Sequence, residues 1–337
     1  MYRTDVMQKV RAQRLLHDAT IELTYHCNLN CYYCYNDRAK RGKPLSLSQY
    51  RTLLEDLARM QTLFLMLTGG EPMVHPHFFE IGAMTKDLGF VVRVRTNGHT
   101  LNPRNVERLQ REVDPYAVEV TLHGATAEVH DRQARVPGSF ERLIRNLRGA
   151  RAAGLRCAMV ATPTAWNEHQ VAAMIALGDE LDVPLRFQGP VAPRDNGDTG
   201  PLSIQPARET WDRIEALVAE RLARAAAGEL ERLIAAVAAD DGAEAPATCS
   251  VGVAGVDIDP FGNVQACMHL QESAGNLHQQ SIEEIWDRSP VFGRARKHAI
   301  DAAVRLGDTR RRQFGAPLFC LAVEENCAKG GEGCRRP

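Results

Sequence analysis

The chain has 337 residues, 44% of them hydrophobic, and 41 basic against 42 acidic side chains leave a formal net charge of −1. That balance excludes a disordered chain and a strongly basic nucleic-acid surface, and no stretch is long and apolar enough to span a bilayer. Residues 1–19 carry Arg3, Lys9, Arg11 and Arg14 but lack the continuous apolar run of a signal peptide, so a cytoplasmic protein with no nucleic-acid or membrane partner is expected. Eight of the nine cysteines fall in two groups near the ends of the chain, which in a reducing compartment points to metal rather than disulfides.

The first predicted strand, Ile21 to Tyr25, runs into Cys27, Cys31 and Cys34, separated by three and then two residues. Thiolates suit zinc or iron–sulfur clusters, and closed sites of either kind take four ligands. Three thiols fit a [4Fe-4S] cluster with one open iron, or a zinc knuckle that borrows a ligand from elsewhere. A helix is predicted from about Ser48. The second strand, Phe64 to Thr68, stops at Gly69-Gly70-Glu71-Pro72: glycines that let backbone approach a ligand, an acceptor for an ammonium group, and a stiffened turn.

Strands follow at Val91 to Thr96, Ala117 to Leu122, Arg156 to Ala161 and Leu185 to Gln188, with helices from about His77, Asn102, Ser139, Glu168 and Pro206. Six such strand–helix units predict a parallel sheet, closed or partly closed, whose chemistry lies at the C-terminal ends of its strands. Thr96, Asn97, Thr121 and His123 sit at those ends. Asn167 follows the fifth strand as a candidate helix N-cap. Cys157 is expected to be a core thiol. Gly189 to Gly200 reads as a loop, Glu209 to Ala239 as an Ala-rich helical run broken near Gly228, and Asp240 to Pro246 as a boundary. Beyond it lies Cys249, then a hairpin turning at Pro260 to Asn263 and leading to Cys267, with Cys320, Cys327 and Cys334 in the tail. Thiols from hairpin and tail can close a four-ligand site, for a cluster or a structural zinc. Arg310 to Arg312 form a charged run that reads as solvated surface.

The cysteine triplet followed by Gly-Gly-Glu-Pro resembles the radical S-adenosylmethionine (radical SAM) enzymes. Gly262 to Cys267, Gly275-Asn276-Leu277 and Ser281 to Trp286 are similar to the SPASM and shorter twitch extensions of that family. The resemblance implies an α/β fold: a partial (β/α)6 TIM-type barrel with a small C-terminal cysteine-rich SPASM/twitch domain. The divisions expected are an N-terminal segment over 1–19, the barrel over 20–200, a helical connector over 201–245 and the auxiliary domain over 246–337.

It further implies that Cys27, Cys31 and Cys34 hold a [4Fe-4S] cluster, and that S-adenosylmethionine is bound by Gly69, Gly70, Glu71, Pro72, Thr96, Asn97, Tyr33, Thr121, Arg135 and Asn167. A full SPASM tail has more cysteines than this one. One complete auxiliary [4Fe-4S] cluster is therefore expected, held by Cys249, Cys267 and two of Cys320, Cys327 and Cys334, with Cys334 favoured. His123 stands where the family usually has Asp and, with Asp131, is the candidate acid or base.

The implied reaction is reductive cleavage of S-adenosylmethionine to a 5′-deoxyadenosyl radical that takes hydrogen from a substrate. The leading substrate is a ribosomally made precursor peptide, because Pro193 to Asp198 resembles a run found in peptide maturases; the alternative is a small-molecule dehydrogenase or epimerase. About twenty residues precede the first strand, too few for a leader-binding domain, so a separate leader-recognition protein is expected. An external electron donor such as flavodoxin or ferredoxin is expected too.

Overall fold

The computed structural model describes residues 9–10, 12–189, 191–224, 252–268 and 272–297. Six parallel strands form in the predicted order: β1 (Asp18–Glu22), β2 (Phe64–Thr68), β3 (Val91–Thr96), β4 (Ala117–Thr121), β5 (Cys157–Ala161) and β6 (Leu185–Phe187). Each pairs in parallel with its sequence neighbour. The first strand starts earlier than its apolar run suggests. Its polar residues Asp18 and Thr20 are in register with Phe64 and Met66 of β2, so pairing overrides hydropathy there.

Period-two alternation divides the strand residues between two faces. Ile21, Leu65, Leu67, Val92, Val94, Val118, Val120, Cys157 and Met159 join the hydrophobic core, against helices α1 (Leu47–Arg59), α2 (Phe78–Asp87), α3 (Pro103–Arg108), α4 (Ala127–Ala134), α5 (Ser139–Ala152) and α6 (Val171–Glu180). Cys157 is thus the core thiol expected. The opposite parity carries the polar strand residues Thr20 and Glu22, Thr68, Arg93 and Arg95, Glu119 and Thr121, and Arg186, beside the apolar Met66, Ala158 and Val160.

Helix starts follow the local chemistry. Ser46 closes a capping box with Gln49 before α1, and the Asn102 side chain accepts from Asn105 N ahead of Pro103. Helix α4 was not predicted. Its buried face is Val129, His130, Gln133 and Ala134, half of it polar, so no apolar period marks it. Helix α7 (Arg208–Arg224) begins the predicted helical run; the rest of that run, the Asp240 to Pro246 boundary and Arg310 to Arg312 lie outside the described residues.

The expected hairpin is β7 (Gly255–Ile258) and β8 (Asn263–Gln265), turning at Gly262 with φ +80°. A third strand, β9 (Ser273–Asn276), and helix α8 (Ile282–Arg288), capped by Ser281, follow. Strand β7 pairs in parallel with β1, giving one nine-stranded sheet ordered β6-β5-β4-β3-β2-β1-β7-β8-β9. The hairpin therefore continues the barrel sheet. Among the described residues no helix is long and apolar enough to cross a membrane.

Candidate active site

The mouth of the barrel is built on the loop leaving β1. Gly70 N donates to Thr24 O at 2.6 Å and Glu71 N to His26 O at 2.9 Å, fastening the turn after β2 to the chain that enters Cys27. A Cβ on Gly69 would lie 2.4 Å from Thr24 O, one on Gly70 would lie 2.4 Å from His26 O, and Gly69 has φ +130°. Both glycines are thus required by this close approach of two chain segments before any ligand is considered.

The cysteine loop rests on the end of α4, through Asn30 N to Ala134 O at 3.2 Å and Tyr32 N to Gln133 O at 3.0 Å. Two arginines that sequence reasoning did not assign to the site clamp its carbonyls. Arg38 donates to Cys27 O and Leu29 O, both at 2.9 Å. Arg194, from the loop after β6, donates to Tyr32 O at 2.9 Å and Cys34 O at 3.3 Å. Beside it Asp195 accepts from Asp37 N. The signals were an arginine four residues past the last cysteine and the Pro193 to Asp198 run.

Burial pushes all three thiols up, Cys34 to about 11, with Cys27 adding to the rise at Cys31 and Cys34. Ligation of metal must displace their protons. Leu29 N donates to Cys27 Sγ at 3.4 Å and Asn97 Nδ2 reaches it at 3.6 Å. Such N–H groups stabilise a thiolate and tune a cluster's potential.

Several predicted contacts turn out to be committed to the chain itself. The buried Glu71 carboxylate accepts from Thr96 Oγ1 at 2.8 and 2.9 Å, Asn97 N at 2.9 Å, Met73 N at 3.3 Å and Thr100 Oγ1 at 3.3 Å. It organises the turn at the end of β3, a use that competes with accepting an ammonium group. Asn167 ties the ends of β4 and β5 together, donating to His123 O and Thr162 O and accepting from Thr164 N; it makes no side-chain N-cap bond. Asp131 accepts from Gly138 N at 2.6 Å and Phe140 N at 2.8 Å, so it caps α5 and is not placed as an acid or base.

His123 is buried, with Nε2 3.3 Å from Cys31 Sγ and Nδ1 3.3 Å from the Tyr33 hydroxyl. Burial, with His130 and His99 adding to it, holds its pKa well below the ordinary range. A neutral ring there positions Cys31 and Tyr33. Arg135, in the left-handed region at φ 56°, lies over the Tyr32 ring at 4.6 Å, and Tyr32 packs at 4.7 Å on Trp166, whose ring carries Arg132 at 4.3 Å. Pro72 is buried behind the mouth and Thr121 ends β4 partly exposed.

On the auxiliary side, Cys267 follows β8, partly buried against the core. Cys249, Cys320, Cys327 and Cys334 lie outside the described residues. The hairpin is pinned to the cysteine loop: Lys40 pairs with Asp259 at 3.0 Å and approaches Asp195 at 3.9 Å, and Leu45 N donates to Pro260 O at 3.2 Å. Tyr25 meets Phe261 edge-on at 5.7 Å. Three soft thiolate donors on one loop, with N–H groups aimed at a sulfur, fit an iron–sulfur cluster.

A parallel partial barrel with this cysteine loop at its mouth defines a radical SAM enzyme, and comparison with known proteins agrees. Residues 21–177 match the radical SAM superfamily and residues 249–313 the SPASM iron-sulfur cluster-binding domain. The chain belongs to the radical SAM superfamily. It is 30% identical to mycofactocin maturase MftC of Mycobacterium ulcerans over 82% of this chain and 76% of that protein. The AdoMet-dependent heme synthase of Methanosarcina barkeri is 28% identical over 82% and 83% of the two chains, and the PqqA peptide cyclase of Ruegeria pomeroyi 27% over 80% and 74%. The structure of Streptococcus suis SuiB bound to S-adenosylmethionine shares the fold, with a TM-score of 0.67 at 15% identity over 86% of this chain and 71% of that one. Its cofactors are those of the class: S-adenosylmethionine with its [4Fe-4S] cluster, and auxiliary iron–sulfur.

Proposed function

We propose that this enzyme matures a ribosomally made precursor peptide, forming a crosslink, a thioether or an oxidised residue. The observation that carries the reading is similarity to a maturase and to a peptide cyclase over at least four-fifths of the chain, barrel and auxiliary region together. When bound, the cluster and S-adenosylmethionine supply reductive cleavage and a hydrogen-abstracting 5′-deoxyadenosyl radical.

Cys27, Cys31 and Cys34 are the ligands at the mouth, and Arg38 and Arg194 hold their loop in the ligating shape. Gly69 to Pro72 with Thr96 and Asn97 form the methionine side of the cofactor site, in which the Glu71 carboxylate acts by organising backbone. Tyr33, Thr121, Arg135 and Asn167 complete the rim. Cys249, Cys267 and two of the three tail cysteines hold one auxiliary cluster. The barrel over 20–200, the connector over 201–245 and the auxiliary domain over 246–337 are the working divisions. A separate leader-recognition protein and a flavodoxin or ferredoxin donor complete a cytoplasmic system.

The test is anaerobic co-expression with the short peptides encoded beside the gene, read by mass spectrometry. A defined mass change that disappears with Cys31→Ala is expected. Unchanged peptides alongside active clusters would overturn the peptide reading in favour of a small molecule.

A further inference from the structure

Strand β4 and the turn after it carry two buried ionisable side chains, Glu119 and His123. Burial alone would raise the Glu119 carboxyl, but Arg95 at 2.6 Å, Arg186 at 3.3 Å and Arg93 at 3.2 Å hold it at about 2. His123 is 2% exposed and meets a sulfur and a phenol instead, at Cys31 and Tyr33. Its backbone is held on both sides. His123 N donates to His130 Nδ1 at 3.2 Å, and Asn167 Nδ2 donates to His123 O at 3.0 Å. A side chain rooted in this way loses little further freedom on making a hydrogen bond.

Each sulfur of the triplet has an N–H group beside it. Cys27 Sγ has Leu29 N at 3.4 Å and Asn97 Nδ2 at 3.6 Å, and the Cys34 sulfur accepts from the Asn36 amide. Cys31 Sγ, beyond its own amide, has His123 Nε2 at 3.3 Å. A thiolate that ligates metal carries no hydrogen, so a hydrogen bond across that distance requires the hydrogen on Nε2. In the neutral ring Nδ1 is then an acceptor, and the Tyr33 hydroxyl at 3.3 Å is its donor. The Thr162 side chain, just past β5, hydrogen-bonds the same hydroxyl. The four groups form one chain from Thr162 through Tyr33 and His123 to Cys31.

We infer that His123 is a positioning residue that donates Nε2–H to Cys31 Sγ, with Tyr33 holding it in that tautomer, and that this hydrogen bond makes the cluster at the mouth easier to reduce. An N–H group draws electron density from a ligating thiolate, and a reduced cluster, being more negative, gains more from it than an oxidised one. This assigns His123 to the entry of the electron and not to acid–base work on the substrate. The inference rests on Cys31 being a cluster ligand and is independent of the peptide reading.

The test is the reduced-to-oxidised ratio of that cluster in reconstituted enzyme poised at one fixed potential. It is read from the electron paramagnetic resonance signal that responds to S-adenosylmethionine, which separates the cluster with the open iron from the auxiliary one. His123→Leu should lower the ratio roughly threefold or more, which is about 28 mV for a one-electron couple at about 59 mV per tenfold. His123→Gln keeps a neutral N–H and should recover part of the loss, whereas His123→Asp sets a carboxylate beside the thiolate and should lower the ratio further than His123→Leu. An unchanged ratio in His123→Leu overturns the inference, and so does an equal loss in the Leu and Gln variants, which would mark a packing role. Should the variants fail to retain iron, wild type labelled isotopically at its histidine ring nitrogens answers directly: pulsed measurement of the same signal should show a weak coupling to a histidine nitrogen, and no coupling overturns the inference. Cys31→Ala separates this inference from the assignment beneath it. If Cys31→Ala keeps the responsive cluster, the ligand assignment is wrong; if it loses that cluster while His123→Leu leaves the ratio unchanged, the ligand stands and the role of His123 falls.

Discussion

Glu119 shows how one residue reports the electrostatics of the interior. Its folded pKa of about 2 lies below the ordinary carboxylate value of 4.5. A depressed pKa contributes stability that is present above the unfolded value and lost as pH falls through the folded one. Between about pH 4.5 and pH 2 the chain should lose up to about 3 kcal/mol from this group. Glu119→Gln should therefore be less stable than wild type at pH 7, with the gap narrowing to about half at pH 3 and closing only below about pH 2; urea midpoints at pH 7 and pH 3 check this, and a gap as wide at pH 3 as at pH 7 contradicts it. Arg194 acts through hydrogen bonds to Tyr32 O and Cys34 O. Arg194→Ala should loosen the cysteine loop and lose a large share of the mouth's iron during anaerobic desalting, whereas Arg194→Lys should keep part of it. Equal iron retention in Arg194→Ala would show that the clamp is dispensable.

At the scale of elements, the turn after β2 sets where the cysteine loop can lie. Gly69→Ala places a methyl carbon 2.4 Å from Thr24 O at φ +130°, a backbone region costly for any residue with a Cβ. The variant should fold with its mouth displaced and fail to retain the first cluster, seen as loss of that cluster's absorbance with the auxiliary signal preserved. Normal loading would mean that the turn and the loop are independent. The strands were legible as short runs, alternating in β3 and β4 and continuously apolar in β2 and β5, bounded by glycine, proline and polar turns. The pairing of β7 with β1 was not, since residues 18–21 and 255–258 have no local signal for one another. Helix α4 was hidden by its polar buried face, which His130 and Gln133 share with Val129 and Ala134.

The cysteine triplet was legible for a similar reason: metal chemistry restricts both residue type and spacing. What Glu71, Asn167 and Asp131 do was not, because hydrogen-bond partners are set by tertiary placement and each side chain found them within its own fold. Among the described residues, one sheet runs from the barrel through the hairpin, and Lys40 bridges the cysteine loop to Asp259, so the mouth and the hairpin are joined by both strand pairing and an ion pair. Eight cysteines besides Cys157, three in the triplet and five in the second group, suit two clusters. Reconstituted protein should hold about eight iron and eight sulfide per chain, and about twelve of each would require a third cluster. The most direct measurement is 5′-deoxyadenosine formed from S-adenosylmethionine by anaerobically reconstituted, reduced protein, wild type against Cys31→Ala. Wild type should form it and Cys31→Ala should not; equal formation by both, or none by wild type with its clusters loaded, would contradict a radical SAM site at Cys27, Cys31 and Cys34.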